Sequence, residues 1–128
     1  MKIKIKQNIK SLKIRQLTRK TILKEKEYLV LGIEYDCFRI IDANGEPILL
    51  PQKIFEILDA SIPKDWVKRN HRPGYNIDPK FAAKAGFYED LFDGKKYAVK
   101  AFHSFVIKNG YMSQEDWDQK WTKGRLLS

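Results

Sequence analysis

The sequence predicts an α+β chain: a small antiparallel β-structure over residues 1–60, with two or three short helices over 61–128 packed on it in one compact domain. Three observations predict this. Apolar residues alternate or form short runs as far as Leu58, the signature of strands, and shift to spacings of three and four after Lys80, the signature of helices. Asn44-Gly45 lies between two apolar runs and supplies the positive φ angles that a tight hairpin needs. Beyond Ala60, Pro and Gly punctuate the chain repeatedly before the helical spacing begins.

In chain order, Met1, Ile3 and Ile5 alternate with Lys2, Lys4 and Lys6, a strand with one buried and one wet face. Lysines on such a strand also oppose edge-to-edge pairing. Leu12-Lys13-Ile14-Arg15 alternates in the same way, and a polar, basic excursion runs from Thr18 to Lys26. Tyr28 to Tyr35 is one apolar run rich in β-branched and aromatic residues. Phe38 to Ile41 and Pro47 to Leu50 flank the hairpin turn, Pro51 to Phe55 forms a single helical turn, and Phe55 to Leu58 is a closing strand. Short strands, one long polar loop near the start and one tight hairpin describe a small SH3-like antiparallel β-barrel.

After Ala60 the expectation is a connector at Ser61-Ile62-Pro63 and a loop-rich region marked by Arg72-Pro73-Gly74 and Asp78-Pro79. Phe81, Ala85, Tyr88 and Phe92 carry partial helical spacing, weakened by Gly86. Tyr97, Val99, Phe102, Phe105 and Val106 predict an amphipathic helix from about Lys95, stopped at Asn109-Gly110 by a left-handed cap. Ser113 followed by Glu115 and Asp116 is a helix start, with Trp117 and Trp121 on one face.

The chain of 128 residues, 43% hydrophobic and 12% aromatic, is long enough to bury a core and fits one domain. Its single cysteine, Cys37, excludes an internal disulfide and fits a reducing cytoplasm. Lys10, Lys13 and Arg15 interrupt any signal-peptide apolar run after the basic start, and no stretch is long enough to span a bilayer, so neither a leader nor a membrane partner is expected.

Catalytic chemistry finds little footing. His71 and His103 are the only histidines, and such a pair would suit general acid-base cleavage of RNA. His71, however, lies among Lys68, Arg69, Asn70 and Arg72 in a solvated loop, and His103 inside the amphipathic helix. One Cys and two distant His have no metal-ligand spacing, and Cys37 beside Asp36 has a neighbour that raises its thiol pKa. Neither phosphate loop nor nucleophile elbow is present. The expectation is no cofactor, no metal, no catalytic residue and no enzymatic activity.

Charge is the strongest functional signal. The net charge of +9 resides entirely in residues 1–26, which hold ten basic side chains and one acidic, whereas the other 102 residues sum to zero. Lys13, Arg15, Arg19, Lys20, Lys24 and Lys26 lie along this strip. It would track phosphates of RNA or DNA over residues 10–26, speed docking to an acidic protein, or serve as a solvated edge. No aromatic residue precedes Tyr28, so the stacking half of a single-strand platform is missing from it.

Two stretches carry a resemblance. Tyr28-Leu29-Val30-Leu31, Phe38-Arg39-Ile40-Ile41-Asp42, Asn44-Gly45-Glu46-Pro47 and Phe55-Glu56-Ile57 form one; Asp65-Trp66-Val67, Gly74-Tyr75, Gly86-Phe87-Tyr88-Glu89-Asp90, Phe92-Asp93-Gly94 and Phe102 form the other. From about Leu12 to residue 108 the chain resembles small bacterial immunity proteins of polymorphic and contact-dependent growth-inhibition toxin systems, with an SH3-like N-terminal module. The resemblance implies a cytoplasmic protein that neutralises a cognate toxin by stoichiometric binding. It brings no catalytic residues. Trp66, Tyr75, Phe87 and Tyr88 are the candidate aromatic anchors, with a core role weighed against each, most strongly for Phe87. The runner-up is a basic module binding RNA or DNA through residues 10–26; a small ribonuclease using His71 and His103 is a minor alternative.

Overall fold

A computed structural model describes residues 1–10 and 21–123. Among these residues eight strands form two antiparallel sheets. β1 (Lys2–Ile5), β2 (Tyr28–Leu29) and β6 (Phe55–Asp59) make a three-stranded sheet in the order β2-β1-β6. β3 (Gly32–Glu34), β4 (Cys37–Ile41), β5 (Pro47–Pro51), β7 (Val67–Asn70) and β8 (Tyr75–Asp78) make a five-stranded sheet in the order β5-β4-β3-β8-β7. Three short α-helices follow: α1 (Phe87–Phe92), α2 (Lys96–Lys108) and α3 (Gln114–Trp117), the last running on as a π-helical segment over Asp118–Lys123. The α+β class with antiparallel strands and short helices is as expected. Among the described residues no ladder joins the sheets into a closed barrel.

Two apolar clusters occupy the two faces of the larger sheet. Ile3 and Ile5 from β1, Ile33, Phe38 and Ile40 from β3 and β4, and Phe55 from β6 fill the space between the sheets. Phe87, Leu91, Phe102, Val106, Trp117 and Trp121 fill the space between the larger sheet and the helices. The expected single strand from Tyr28 to Tyr35 is two strands, because the chain changes sheets at Val30-Leu31. The Val30 amide donates to Met1 O at 2.9 Å on the first sheet, and the Leu31 amide donates to Arg39 O at 2.8 Å on the second. Val30 is packed in the first cluster and Leu31 in the second, both closed to solvent.

The loop-rich connector expected before residue 79 is instead partly strand. β7 and β8 form a hairpin whose β8 edge pairs with β3, so Ile77 lies opposite Ile33. The turn at its tip contains a cis Arg72-Pro73 bond and is closed by His71 N–H to Gly74 O at 2.8 Å. Backbone pairing holds this hairpin although most of its side chains are polar, so apolar periodicity does not reveal it. The turn at Pro51 to Phe55 is present as a 3-10 turn at Gln52–Ile54. Leu12 to Arg15, expected as a strand, lies outside the described residues.

The helical region follows its sequence signals closely. α2 ends at Asn109, with Gly110 left-handed at φ 75°. Ser113 caps α3 by accepting the Asp116 amide on its Oγ at 3.0 Å. Trp117 and Trp121 stack with their planes 1° apart and centroids at 4.9 Å. Trp121 also reaches back across the fold, its indole N–H donating to Gly45 O at 2.9 Å in the β4–β5 turn, where Gly45 has φ 75°. Among the described residues no helix is long and apolar enough to cross a membrane.

Trp121→Ala opens the second cluster and removes the bond to the turn. Urea unfolding should show a loss of about 3–5 kcal/mol for it, the range for buried Trp truncation, and a smaller loss for Trp121→Phe.

Candidate functional site

The pleat places alternate residues of β4 on opposite sides, so Arg39 projects toward the helices while its neighbours Phe38 and Ile40 enter the core between the sheets. On the helix side of the larger sheet, α1 covers only part of the surface. A cleft of about 450 Å³ remains between α1 and β3, β4, β5, β7 and β8. Glu34, Arg39, Leu49, Arg69, Asp78 and Tyr88 shape its floor and walls, and Lys84, Glu89 and Phe92 line the helix side.

Arg39 organises this cleft. Its Nη1 donates to Pro47 O at 3.2 Å, its Nη2 to Glu34 Oε2 at 3.0 Å, and its guanidinium lies 3.7 Å from the centre of the Tyr88 ring. The residue is 8% exposed. A buried guanidinium with a carboxylate, a carbonyl and an aromatic face as partners is held in one orientation. The burial that makes Tyr88 a platform also pushes its phenol pKa up, against the pull of Arg39.

Asp78 sits on the same face, opposite Val67 in the β7–β8 ladder. It occupies space that exists only because residue 32 is glycine: a Cβ there would stand 2.5 Å from Asp78 Oδ1. The carboxylate is 5% exposed, and its nearest cation is Arg69, with Nη2 3.9 Å from Oδ2. Burial pushes its pKa up to about 6, Arg39 and Arg69 only partly opposing. Two polar atoms here are enclosed without a hydrogen-bond partner, Arg69 Nε and Tyr88 Oη. An enclosed donor without an acceptor costs about 1–3 kcal/mol, so both atoms are a local cost of closing this face. Leu49 and Phe92, 36% and 47% exposed, add apolar surface to the same opening.

The sequence-predicted residues are spread over several surfaces. Lys13, Arg15, Arg19 and Lys20 lie outside the described residues. Lys24 is bound locally, its Nζ donating to Gln7 O at 2.7 Å and Ile9 O at 3.0 Å. Lys26 Nζ lies 5.2 Å from the Tyr28 ring centre. Trp66 is half-buried beside β7, Tyr75 is exposed on β8 with Lys68 over its ring, and Tyr88 is in the cleft. Phe87 belongs to the core under the helices. His71 bonds Asn76 Oδ1 at 2.6 Å in the hairpin tip, whereas His103 on α2 bonds Gln114 Oε1 at 2.8 Å and packs on Trp117; neither lines the cleft. The Cys37 thiol pKa is raised by burial and by the Asp36 carboxylate. Among the described residues no group of three or more His, Cys, Asp or Glu is placed to hold a metal ion.

Glu34, Arg39, Arg69 and Asp78 were not singled out from sequence. Arg39 alone left a local signal, as a charge between Phe38 and Ile40 inside an apolar strand. Comparisons with family models, curated proteins and solved structures yield no match.

Because the folded pKa of Asp78 lies above its ordinary 3.8, its ionisation disfavours the folded state. Its contribution is fully present below pH 4 and is lost as pH rises through 6. Relative to Asp78→Asn, wild-type stability should fall by about 3 kcal/mol at most between pH 4 and 7 and then stay level, measured by urea unfolding. Gly32→Ala forces the carboxylate from its place and should cost about 1–3 kcal/mol in the same assay.

Proposed function

We propose that this protein is an immunity-type binding protein, acting in the cytoplasm to neutralise a cognate bacterial toxin domain by stoichiometric docking rather than by catalysis. The observation that carries this proposal is the cleft: a fixed guanidinium, a lining of both charges and a half-exposed apolar rim at Leu49 and Phe92. Such a site accepts an anchoring side chain of a partner against the Leu49 and Phe92 rim, and its fixed frame keeps the ordering cost of docking low. Its lining mixes Arg39, Arg69 and Lys84 with Glu34, Asp78 and Glu89, so the neutral lobe, not the cationic strip, supplies the recognition chemistry.

The proposal includes an SH3-like module over residues 1–60. Supporting it are the antiparallel return of β6 onto β1, the 3-10 turn that leads into β6, and the tight Asn44-Gly45 hairpin.

The test is complex formation with the toxin domain recovered with the tagged protein from the cells that carry it. A one-to-one complex should survive a high-salt wash and abolish the toxin's activity. Leu49→Arg with Phe92→Asp should weaken neutralisation at least tenfold with an unchanged melting temperature, as expected for anchor positions. Undiminished neutralisation by this double variant, or a wild-type protein that inhibits no copurifying toxin, overturns the proposal.

A further inference from the structure

The face of the β7–β8 hairpin turned away from the cleft presents a different chemistry. In β7, Lys68 lies opposite Ile77, and Ile77 packs toward the core between the sheets; Arg69 and Asn76 face the cleft. On the Lys68 face, toward the tip, Lys68 Nζ stands 4.6 Å over the ring of Tyr75, which is 37% exposed. From Trp66 to Ile77 the chain holds Lys68, Arg69, His71 and Arg72 and no acidic residue. β7 is also the edge of its sheet.

Tyr35, in the neighbouring β3–β4 turn, completes the tip. Its amide donates to Tyr75 O at 2.8 Å, and its ring lies against Gly74, where a Cβ would come within 2.4 Å of it. Tyr35 has φ 53°, a conformation such turns normally assign to Gly or Asn and one that costs an aromatic residue free energy. About half of the residue is buried, against Gly74, and 49% of it remains exposed. The exposed part of the Tyr35 ring thus lies at the tip, beside Tyr75. The acid beside it is Asp36, exposed in the same turn.

We propose that the hairpin tip binds single-stranded nucleic acid, with bases stacking on Tyr35 and Tyr75 and phosphates engaging Lys68 and Arg72. Rings and cations together are what a single strand requires, and stacking is tolerant of sequence because every base has a π-face. This site lies on a different surface from the proposed toxin-binding cleft and does not depend on it.

The experiment is fluorescence anisotropy of the full chain with fluorescein-labelled dT12 and U12. Binding is expected at 50 mM salt, falling roughly 7-fold by 200 mM if two phosphates are neutralised. Tyr75→Ala should weaken it roughly 5- to 100-fold and Tyr75→Phe only slightly. Tyr35→Gly removes the ring while suiting the left-handed turn, so it should weaken binding similarly with the melting temperature unchanged or raised. Lys68→Ala with Arg72→Ala should flatten the salt dependence. No binding of either oligonucleotide at 50 mM salt overturns the proposal. So does binding insensitive to both tyrosines but abolished by reversing Arg15, Arg19 and Lys20 to Glu, which assigns it to the N-terminal strip. Equal competition by a polyglutamate peptide of matched charge also overturns it and marks the tip as a surface for acidic protein.

Discussion

Everything in this fold depends on the chain crossing between sheets at Val30-Leu31. Two consecutive residues of an extended chain point to opposite sides, so a segment can be closed to solvent at both only where both sides are covered. Val30 enters the cluster between the sheets and Leu31 the cluster under the helices. The crossing therefore specifies a three-layer body, with the five-stranded sheet in the middle. It is secured by backbone bonds to Met1 on one side and Arg39 on the other, and Tyr111 adds a third bond, its hydroxyl donating to Val30 O at 2.9 Å. Burial pushes the Tyr111 phenol pKa up to about 12, so this donor keeps its proton through the physiological range.

The middle layer explains where polar chemistry is possible. Its inner face is filled by aliphatic and aromatic side chains, but its helix face is longer than α1 and α2 can cover, and the uncovered part holds Glu34, Arg39, Arg69 and Asp78. Charges survive there because each is tied to a neighbour or borders the opening. Arg39 is the most restrained, with Glu34, Pro47 and Tyr88 all fixed around one guanidinium. The cleft and the hairpin tip share strands β7 and β8 but use opposite faces, so the pleat separates two chemistries along the same short segment.

How much was legible follows from the range of each interaction. β1, the β4–β5 hairpin, the end of α2 and the Ser113 cap are local, each written in residues a few positions apart, and each is found where its signal lies. The β7–β8 hairpin was not legible, because Lys68, Asn70 and Asn76 carry no apolar alternation and Arg72-Pro73-Gly74 reads as a loop. The division of Tyr28 to Tyr35 was hidden for the opposite reason: a run buried on both faces has no period to break. Tyr88 is a candidate anchor on sequence alone, but its guanidinium partner lies 49 positions earlier and no local pattern joins them. The space for Asp78 depends on Gly32 in a different strand, and that absence of a Cβ has no meaning until the strands are paired.

The bond from Trp121 to Gly45 also orders events during synthesis. Its donor follows its acceptor by 76 residues, so the space under the helices stays unsealed after both sheets have been translated. Until Trp121 arrives, Phe102 and Trp117 lack the ring that packs against both of them, and the β4–β5 turn lacks its external donor. A chain that has not yet placed Trp121 therefore keeps an open aromatic groove between the larger sheet and the helices. During that interval the groove is the surface most exposed to chaperones and to other unfinished chains.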